Sequence, residues 1–588
     1  MKLPIIFELC EPRRDVVSGT ISESDFAADL AQVLRGQGPE EYLEPAKFFA
    51  NTHPTRGLRD LLQAVCLRLS GSSQQVASIF RLGSSFGGGK THGLIALGHI
   101  AKGAQGVANI DEFIEPSLVP SGGIRVAAFD GENADPFNGR QMAPGVLART
   151  PWGEIAYQLA GSAGFERLRR SDEALGAPGS ETLRELFGGE PTLILLDELA
   201  LYLRKLHQMG SQQAGGQLTA FMTALFKAIE GTPNAAVVYT LAIGKDNRAT
   251  DAYSQENQFI ADQMAEAESV SARKAALLDP TGEDETVKVL RRRLFESIDD
   301  AGAETVVEGY RRLWEDNRDA LPKHDSIGER VEALSEGYPL HPELLATFTN
   351  KTATLSNFQR VRGMLRLLAR TVGNLWEHRP KDALAIHLHH VDPGFEPIRQ
   401  EITTRLGQAQ LLPAIRVDVA AVPGEPASLA QQMDRTAYTG LPTYGSYVGR
   451  TILWHTLAFN DALRGVSHEE LRYAVLWPGA DLGFIDDARK RFVQESAYLD
   501  DRPNVPLRFL AEANLTQIIR RQEQQVDTIE ARKQLTDRIK DIFKSGWFEP
   551  EPFPGGPYDV DDRGDGKPVL VVIGYDAAEI AADRVEVP

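Results

Sequence analysis

Cysteine is scarce in this sequence: Cys10 and Cys66 are the only two among 588 residues, so the fold cannot rest on a disulfide framework. Long apolar runs are missing as well. No stretch approaches the roughly 18–20 apolar residues that span a bilayer. The N-terminus, MKLPIIFELCEPRRD, has neither a long apolar stretch nor a small-residue cleavage site. A reducing cytoplasm without membrane contact is the expected setting. Positive charge is in deficit, with 63 Lys and Arg against 82 Asp and Glu and a formal charge of −19. So acidic a chain is no bulk binder of phosphate backbones, and any nucleic-acid contact must come from a local basic face. Internal repeats are absent, and DDRGDGK at 561–567 is a polar loop. What is present is the composition of a globular protein too long for a single core.

The chain changes character along its length. Residues 1–75 read as a helical N-terminal segment, with apolar positions at helical spacing over Asp25–Leu34 and Leu58–Leu69 on either side of GQGPEEYLEP. Over 76–280 short apolar runs alternate with helical patterns. Strands are expected at Val76–Leu82, Ile124–Phe129, Thr192–Leu196 and Ala235–Ile243, with helices from about Lys90, from Trp152 and over Gln217–Glu230. Such alternation implies α/β architecture, a parallel sheet covered on both faces. A helical lid is expected over 281–370, a mixed linker domain over 371–464, a winged-helix-like domain over 465–525, and a helix with a terminal strand, Val569–Ile573, over 526–588.

Between the first strand and its helix lies GSSFGGGKTH, Gly83 to His92. A loop that cradles phosphates needs this setting, because consecutive backbone N–H groups must turn inward and the following helix must present its positive end. Glycine allows that approach without a Cβ clash. Gly83, Ser84, Ser85, Phe86, Gly87, Gly88, Gly89, Lys90, Thr91 and His92 are therefore the expected nucleotide-binding residues. Lys90 would reach the β- and γ-phosphates, and the Thr91 hydroxyl would ligate Mg2+. In the usual pattern a glycine stands six residues before the lysine; here that position is Ser84, with Gly83 one place earlier.

The partner of such a loop appears in PTLILLDELA, an apolar strand ending in Asp197 and Glu198. Parallel sheets bind ligands at the C-terminal ends of their strands. Asp197 would hold the metal and Glu198 would orient or deprotonate a water, which favours ATP hydrolysis over phosphoryl transfer to another acceptor. Thr240, near the tip of the fourth strand, suits contact with the γ-phosphate or the attacking water, the sensor-one role, or serves only as a β-branched strand former. In FQRVRGMLRLLAR the residues Phe358, Val361, Leu365 and Leu368 form one stripe and Arg362, Arg366 and Arg370 another. Arg366, after Gly363, is the expected sensor two, which stabilises charge on the phosphoryl group, or else one cation of a solvated basic edge. Arg273 is a weaker choice for a finger reaching a neighbouring subunit, and Arg291–Arg293 read as lid surface. His387, His389 and His390 invite a metal reading, with His387 and His389 on one face of a strand, but no carboxylate or cysteine cluster accompanies them. Arg489, Lys490 and Arg491 place positive charge on the second helix of the winged-helix-like stretch. DNA contact is one reading there and a purely structural domain the preferred one.

GSSFGGGKTHGL, WGEIAYQLAG, TLILLDELA, YPLHPELL and FQRVRGMLRLLAR, in this order, resemble the bacterial and archaeal ATPases grouped as domain of unknown function 499, and most closely their anti-phage-associated branch. DFAADLAQVLRG, EYLEPAKFFANTHPTRGL, RFLAEANLTQIIRRQE and EPFPGGPYDVDD extend the likeness over nearly the whole chain. The resemblance implies an AAA-like P-loop NTPase of the additional-strand type, working beside other proteins of a defence system. Many members of that group run longer at the C-terminus, so this chain reads as a fragment or short form. The expected function is ATP hydrolysis driving a motor or switch, with homo-oligomerisation allowed. The alternative is a nucleotide-gated scaffold with little turnover. A small-molecule kinase is disfavoured because no acceptor-site signature is visible.

Overall fold

Five apolar runs form the parallel sheet: β1 (Ile79–Gly83), β2 (Arg125–Asp130), β3 (Thr192–Asp197), β4 (Ala235–Leu241) and β5 (Ala276–Leu278). Their order across the sheet is β2-β3-β4-β1-β5, with every neighbouring pair parallel. The computed structural model describes residues 3–18, 29–71, 76–83, 89–208, 214–241, 258–260, 262, 275–280, 282, 285–355, 358, 360–500, 502, 505–514, 519, 526–544, 546–560, 562 and 566–573.

The central strands are apolar at nearly every position because both faces are covered. Leu193, Leu195, Ala236 and Val238 meet helices α1 (Arg56–Leu69) and α2 (Lys90–Ala101) through Leu61, Leu62, Leu94 and Leu97. Ile194, Leu196, Val237 and Tyr239 meet α3 (Pro151–Glu173), α4 (Leu199–Gln208) and α5 (Ala214–Glu230) through Trp152, Ile155, Leu203, Phe221 and Leu225. This is a helix–sheet–helix sandwich. Edge strand β2 is closed by a side chain. Gln158 of α3 donates from Nε2 to the Ala128 carbonyl at 2.8 Å and accepts the Ala128 N–H at 2.9 Å, taking the place of a neighbouring strand's peptide group.

The N-terminal segment serves two regions. Leu30, Val33, Phe48 and Phe49 join the core cluster on the α1–α2 side. Residues 3–18 pack instead on the helical region, where Cys10–Pro12 pairs antiparallel with Phe295–Ile298 and Asp15 holds Arg293 at 2.6 Å. That region comprises α6 (Thr286–Leu294), the helices Asp300–Asp316, Ile327–Gly337 and Pro342–Asn350, and α7 (Arg360–His378).

Farther on, His387 and His389 do not lie on a strand. Backbone pairing ends at the Leu340–Ile386 bridge, and the His387 N–H then bonds His390 Nδ1 at 2.9 Å, closing a short 3-10 turn over Leu388–His390. Helices Tyr444–Thr456, His468–Val475 and Leu482–Glu495 follow, with two isolated antiparallel bridges, Val466–Leu507 and Leu499–Phe509.

By contact the chain divides into two units, Met1–Val493 with Leu499–Ala511, and Gln494–Tyr498 with Glu512–Pro588. The second carries the helix Thr528–Ile542, capped by the Asp527 carboxylate, and a parallel pair of strands, Glu549–Pro552 and Val569–Val572. Among the described residues no helix is long and apolar enough to cross a membrane.

Candidate functional site

All five strands run the same way, so their C-terminal ends open on one side of the sheet. There Asp197 is the meeting point. Its Oδ2 accepts the Thr91 hydroxyl at 2.6 Å; its Oδ1 accepts the Thr240 hydroxyl at 2.6 Å and the Glu198 N–H at 3.1 Å. The Glu198 N–H also lies 3.3 Å from Thr240 Oγ1. Register explains the convergence: β4 lies between β1 and β3 and places Thr240 level with Leu82, one residue before Gly83 ends β1. Gly89 then turns left-handed, φ +74°, to start α2, and Lys90 is buried at its first position. Two of the residues expected to meet the phosphates, Lys90 and Thr91, thus begin a helix and lie at its positive dipole end, among first-turn N–H groups that have no partner within the helix.

Glu198 sits in a strained backbone conformation for a residue with a Cβ, φ +49°. Gly131, following β2, explains how this is tolerated. Its N–H bonds the Asp197 carbonyl at 3.0 Å, and a Cβ there would lie 2.1 Å from the Glu198 carbonyl oxygen. Lys205 of α4 fixes the same turn by donating to the carbonyls of Glu132 at 2.5 Å and Ala134 at 2.9 Å. Burial, reinforced by Asp197 and opposed by Lys90, pushes the Glu198 carboxyl up to about 8.

Asp130, which sequence reasoning missed, belongs to the same constellation. It ends β2 directly opposite Asp197 in register. Burial and then Asp197 raise it to about 6, against the hydrogen bond from Asn133 at 2.9 Å. The strand-end logic that selects Asp197 also selects Asp130, because FDGEN follows an apolar strand just as LDELA does.

The remaining expected residues divide. Ser84, Ser85, Phe86, Gly87, Gly88 and Arg273 lie outside the described residues. The His92 ring is committed to the N-terminal segment: it stacks on Phe48 at 4.4 Å, and its Nε2 lies 2.8 Å from Thr52 Oγ1. Burial, with His99 and Arg293, holds it down to about 4. Arg366 is buried and grips Glu401 through Nε at 2.7 Å and through Nη2, while Arg370 bonds the other Glu401 oxygen at 2.6 Å. One turn earlier, Arg362 lies within electrostatic reach of Tyr42, Glu132 and Glu198; burial dominates and lowers its guanidinium pKa. Gly363 lets α7 start here, since a Cβ would fall 1.8 Å from the Phe358 carbonyl oxygen. Arg291–Arg293 are ties rather than free surface: Arg291 donates to the Glu336 carbonyl at 2.8 Å, Arg292 to the Ala50 carbonyl at 2.9 Å, and Arg293 pairs with Asp15.

The histidine cluster is a packed stack. His341 and His387 lie 4.2 Å apart and nearly parallel, His389 stacks on Tyr447 at 4.0 Å, and His387 bonds the Ala474 carbonyl and the Tyr310 hydroxyl. No group of three or more His, Cys, Asp or Glu among the described residues could hold a metal ion by itself.

Two consecutive stretches match one family: residues 7–271 match the DUF499 N-terminal domain and residues 281–410 the DUF499 second domain. The stretch between them, residues 272–280, holds β5, after which the α/β core gives way to the helices that begin with α6. No curated protein matches the chain. From its N-terminal domain through its second domain, this chain belongs to the DUF499 family.

Proposed function

We propose that this protein is an additional-strand P-loop ATPase of AAA-like type that binds ATP with Mg2+ and hydrolyses it. The observation that carries the reading is the Asp197 carboxylate, shared by the first-turn threonine of α2, the tip of β4 and the residue before α4. Support also comes from the sheet, in which one extra strand, β4, separates the strand entering the phosphate loop from the strand ending in Asp197 and Glu198. Thr91 and Asp197 are hard oxygen donors of the kind magnesium takes, and since no cluster among the described residues completes a site, phosphate oxygens would supply further ligands. The ion would supply neutralisation of phosphate charge. Lys90 would bind the terminal phosphates, and Thr240 would hold the attacking water through its hydroxyl. As that water attacks the γ-phosphorus and the bond to ADP breaks, Glu198 would take its proton. Arg362, not Arg366, is the lid arginine positioned to offset charge on the phosphoryl group, because Glu401 already holds Arg366.

The order of helix, bridging residue, two helices and a bridged pair over 444–509 fits a winged-helix-like domain. Asp487 holds Arg491 at 2.8 Å, so Arg489 and Lys490 are the cations its last helix offers to a phosphate backbone. Membership in a defence complex rests on the likeness of motif strings to the anti-phage-associated branch.

One observation favours the second reading, a nucleotide-gated scaffold: with its carboxyl near 8, Glu198 holds its proton at pH 7 unless bound ligand lowers it. Steady-state phosphate release, with and without duplex DNA, separates the two. Glu198→Gln should lose about 100- to 10,000-fold in rate while retaining ATP binding, and Lys90→Ala should lose both. Binding without turnover in the wild-type chain would establish the scaffold. A Lys90→Ala chain that binds ATP as the wild type does would sink both readings.

A further inference from the structure

The strand pair Glu549–Pro552 and Val569–Val572 has two edges of opposite character. The Glu549 N–H donates to the Pro568 carbonyl at 3.0 Å and the Phe553 N–H to the Val572 carbonyl at 2.8 Å. By the two-residue alternation of a strand, the backbone of Glu549, Glu551 and Phe553 faces the neighbouring strand, and Pro550 and Pro552 face outward. Proline has no N–H, so that outer edge cannot donate. Among the described residues the opposite edge is open. In the same register the amides of Leu570 and Val572 turn inward, leaving the N–H groups of Val569, Val571 and Ile573 and the carbonyls of Val569 and Val571 along the outside. No described strand pairs with them. Val571 is 39% and Ile573 64% exposed.

A bare, apolar strand edge invites pairing, and proteins blunt such edges with proline or charge. Here only one of the two edges is blunted. A lone two-stranded sheet is also marginal on its own. We infer that Val569–Val572 is an interface at which two copies of this chain pair antiparallel about a two-fold axis, giving one four-stranded sheet. Self-pairing sets Val-Leu-Val-Val against itself, apolar against apolar with no like charges opposed. The strand has no charged side chain with which to select a different partner. The two proline-lined edges then lie outermost and stop further addition, so assembly closes at two. A head-to-tail filament needs two compatible edges, and each copy offers one.

The test is the mass of the full chain by sedimentation and light scattering across a concentration series. The wild-type protein should reach twice 64.6 kDa. Val571→Pro removes an outward N–H without breaking a bond of the chain's own strand pair and should leave monomers with an unchanged circular dichroism spectrum. Val571→Lys, which keeps the amide and adds charge to the edge, should do the same and decides the matter if the proline variant misfolds. Restoring donors to the blocked edge with Pro550→Ala and Pro552→Ala together should let assembly grow past two. A wild-type chain that stays monomeric at every concentration overturns the inference. So does a dimer that survives both Val571 variants.

Discussion

In the α/β core, Lys90, Asp130, Asp197 and Glu198 crowd the ends of neighbouring strands; in the helical region and the turn that follows it, His341, His387, His389 and His390 stack with tyrosines. Both sets are largely buried, and burial acts on them in opposite senses. Together with Asp197 it pushes the core carboxyls Asp130 and Glu198 up to about 6 and 8. It pushes His387 down to about 4, and the other rings of the stack down as well. A neutral ring packs at little electrostatic cost, so the stack needs only its aromatic contacts and hydrogen bonds. Gathered carboxylates repel one another. Such crowding is the pattern of a site kept for its chemistry. Glu343 of the helical region is also raised, to about 7, by burial, but it is tied locally to Thr347 at 3.1 Å and His455 at 3.3 Å.

The largest expected effect tests the helix that straddles the two regions. Arg366 belongs to packing: removing it in Arg366→Ala leaves Glu401, 1% exposed, with half its partners gone. We expect a loss of about 3–5 kcal/mol in unfolding free energy. Arg362→Ala should leave the melting temperature within a degree or two of wild type and lower phosphate release instead. A stable Arg366→Ala protein that has lost turnover would reverse the assignment and blur the contrast between the regions.

Acid should then separate the regions. A histidine at about 4 in the fold and about 6.5 unfolded binds fewer protons in the native state between those values. Its contribution to stability is therefore lost as pH falls through that window, by up to about 3 kcal/mol for one such ring. For core carboxyls raised above their unfolded values the sign is opposite: their contribution is fully present below about 4 and is lost as pH rises from there through about 6 for Asp130 and about 8 for Glu198. Hydrogen exchange compared at pH 7 and pH 5 should show the helical region opening first in acid. His389→Phe keeps the stack on Tyr447, removes one titrating ring, and should flatten the acid limb of a calorimetric pH series. Equal acid sensitivity in both regions would break the comparison.

How far these differences are legible in the sequence depends on how local their causes are. β1, β3 and β4, the start of α2, and Asp197 with Glu198 and Thr240 at strand ends all follow from apolar runs and the polar residues that stop them. Arg362 and Arg366 cannot be told apart that way. They share a helix and a spacing of four, and what separates them is Glu401, 35 residues on. The alternation of His387 and His389 suggests a strand, but a turn closed by His390 overrides it. Nor does any local pattern show that residues 10–12 pair with 295–298 rather than with their neighbours. The doubled role of the N-terminal segment is a product of that long-range pairing.

The smallest expected effect concerns a motif whose meaning only the fold supplies. WGEIAYQLAG is a local string in the sequence, yet its residues act on three different partners. Trp152 packs on Phe221, Gly153 makes room for the Asp172 carboxylate, and Gln158 closes the β2 edge at Ala128. Gln158→Leu keeps volume and helix propensity while leaving one backbone N–H and one carbonyl on that edge without their partner. The cost should be about 1–3 kcal/mol, read as a lowered urea midpoint. Because β2 carries Asp130 opposite Asp197, a looser edge should also reach the site, and a modest fall in turnover is expected beside the fall in stability. A stability loss with turnover unchanged would show that Asp130 only fills space at the end of β2, and would take one of the crowded carboxylates out of the functional set.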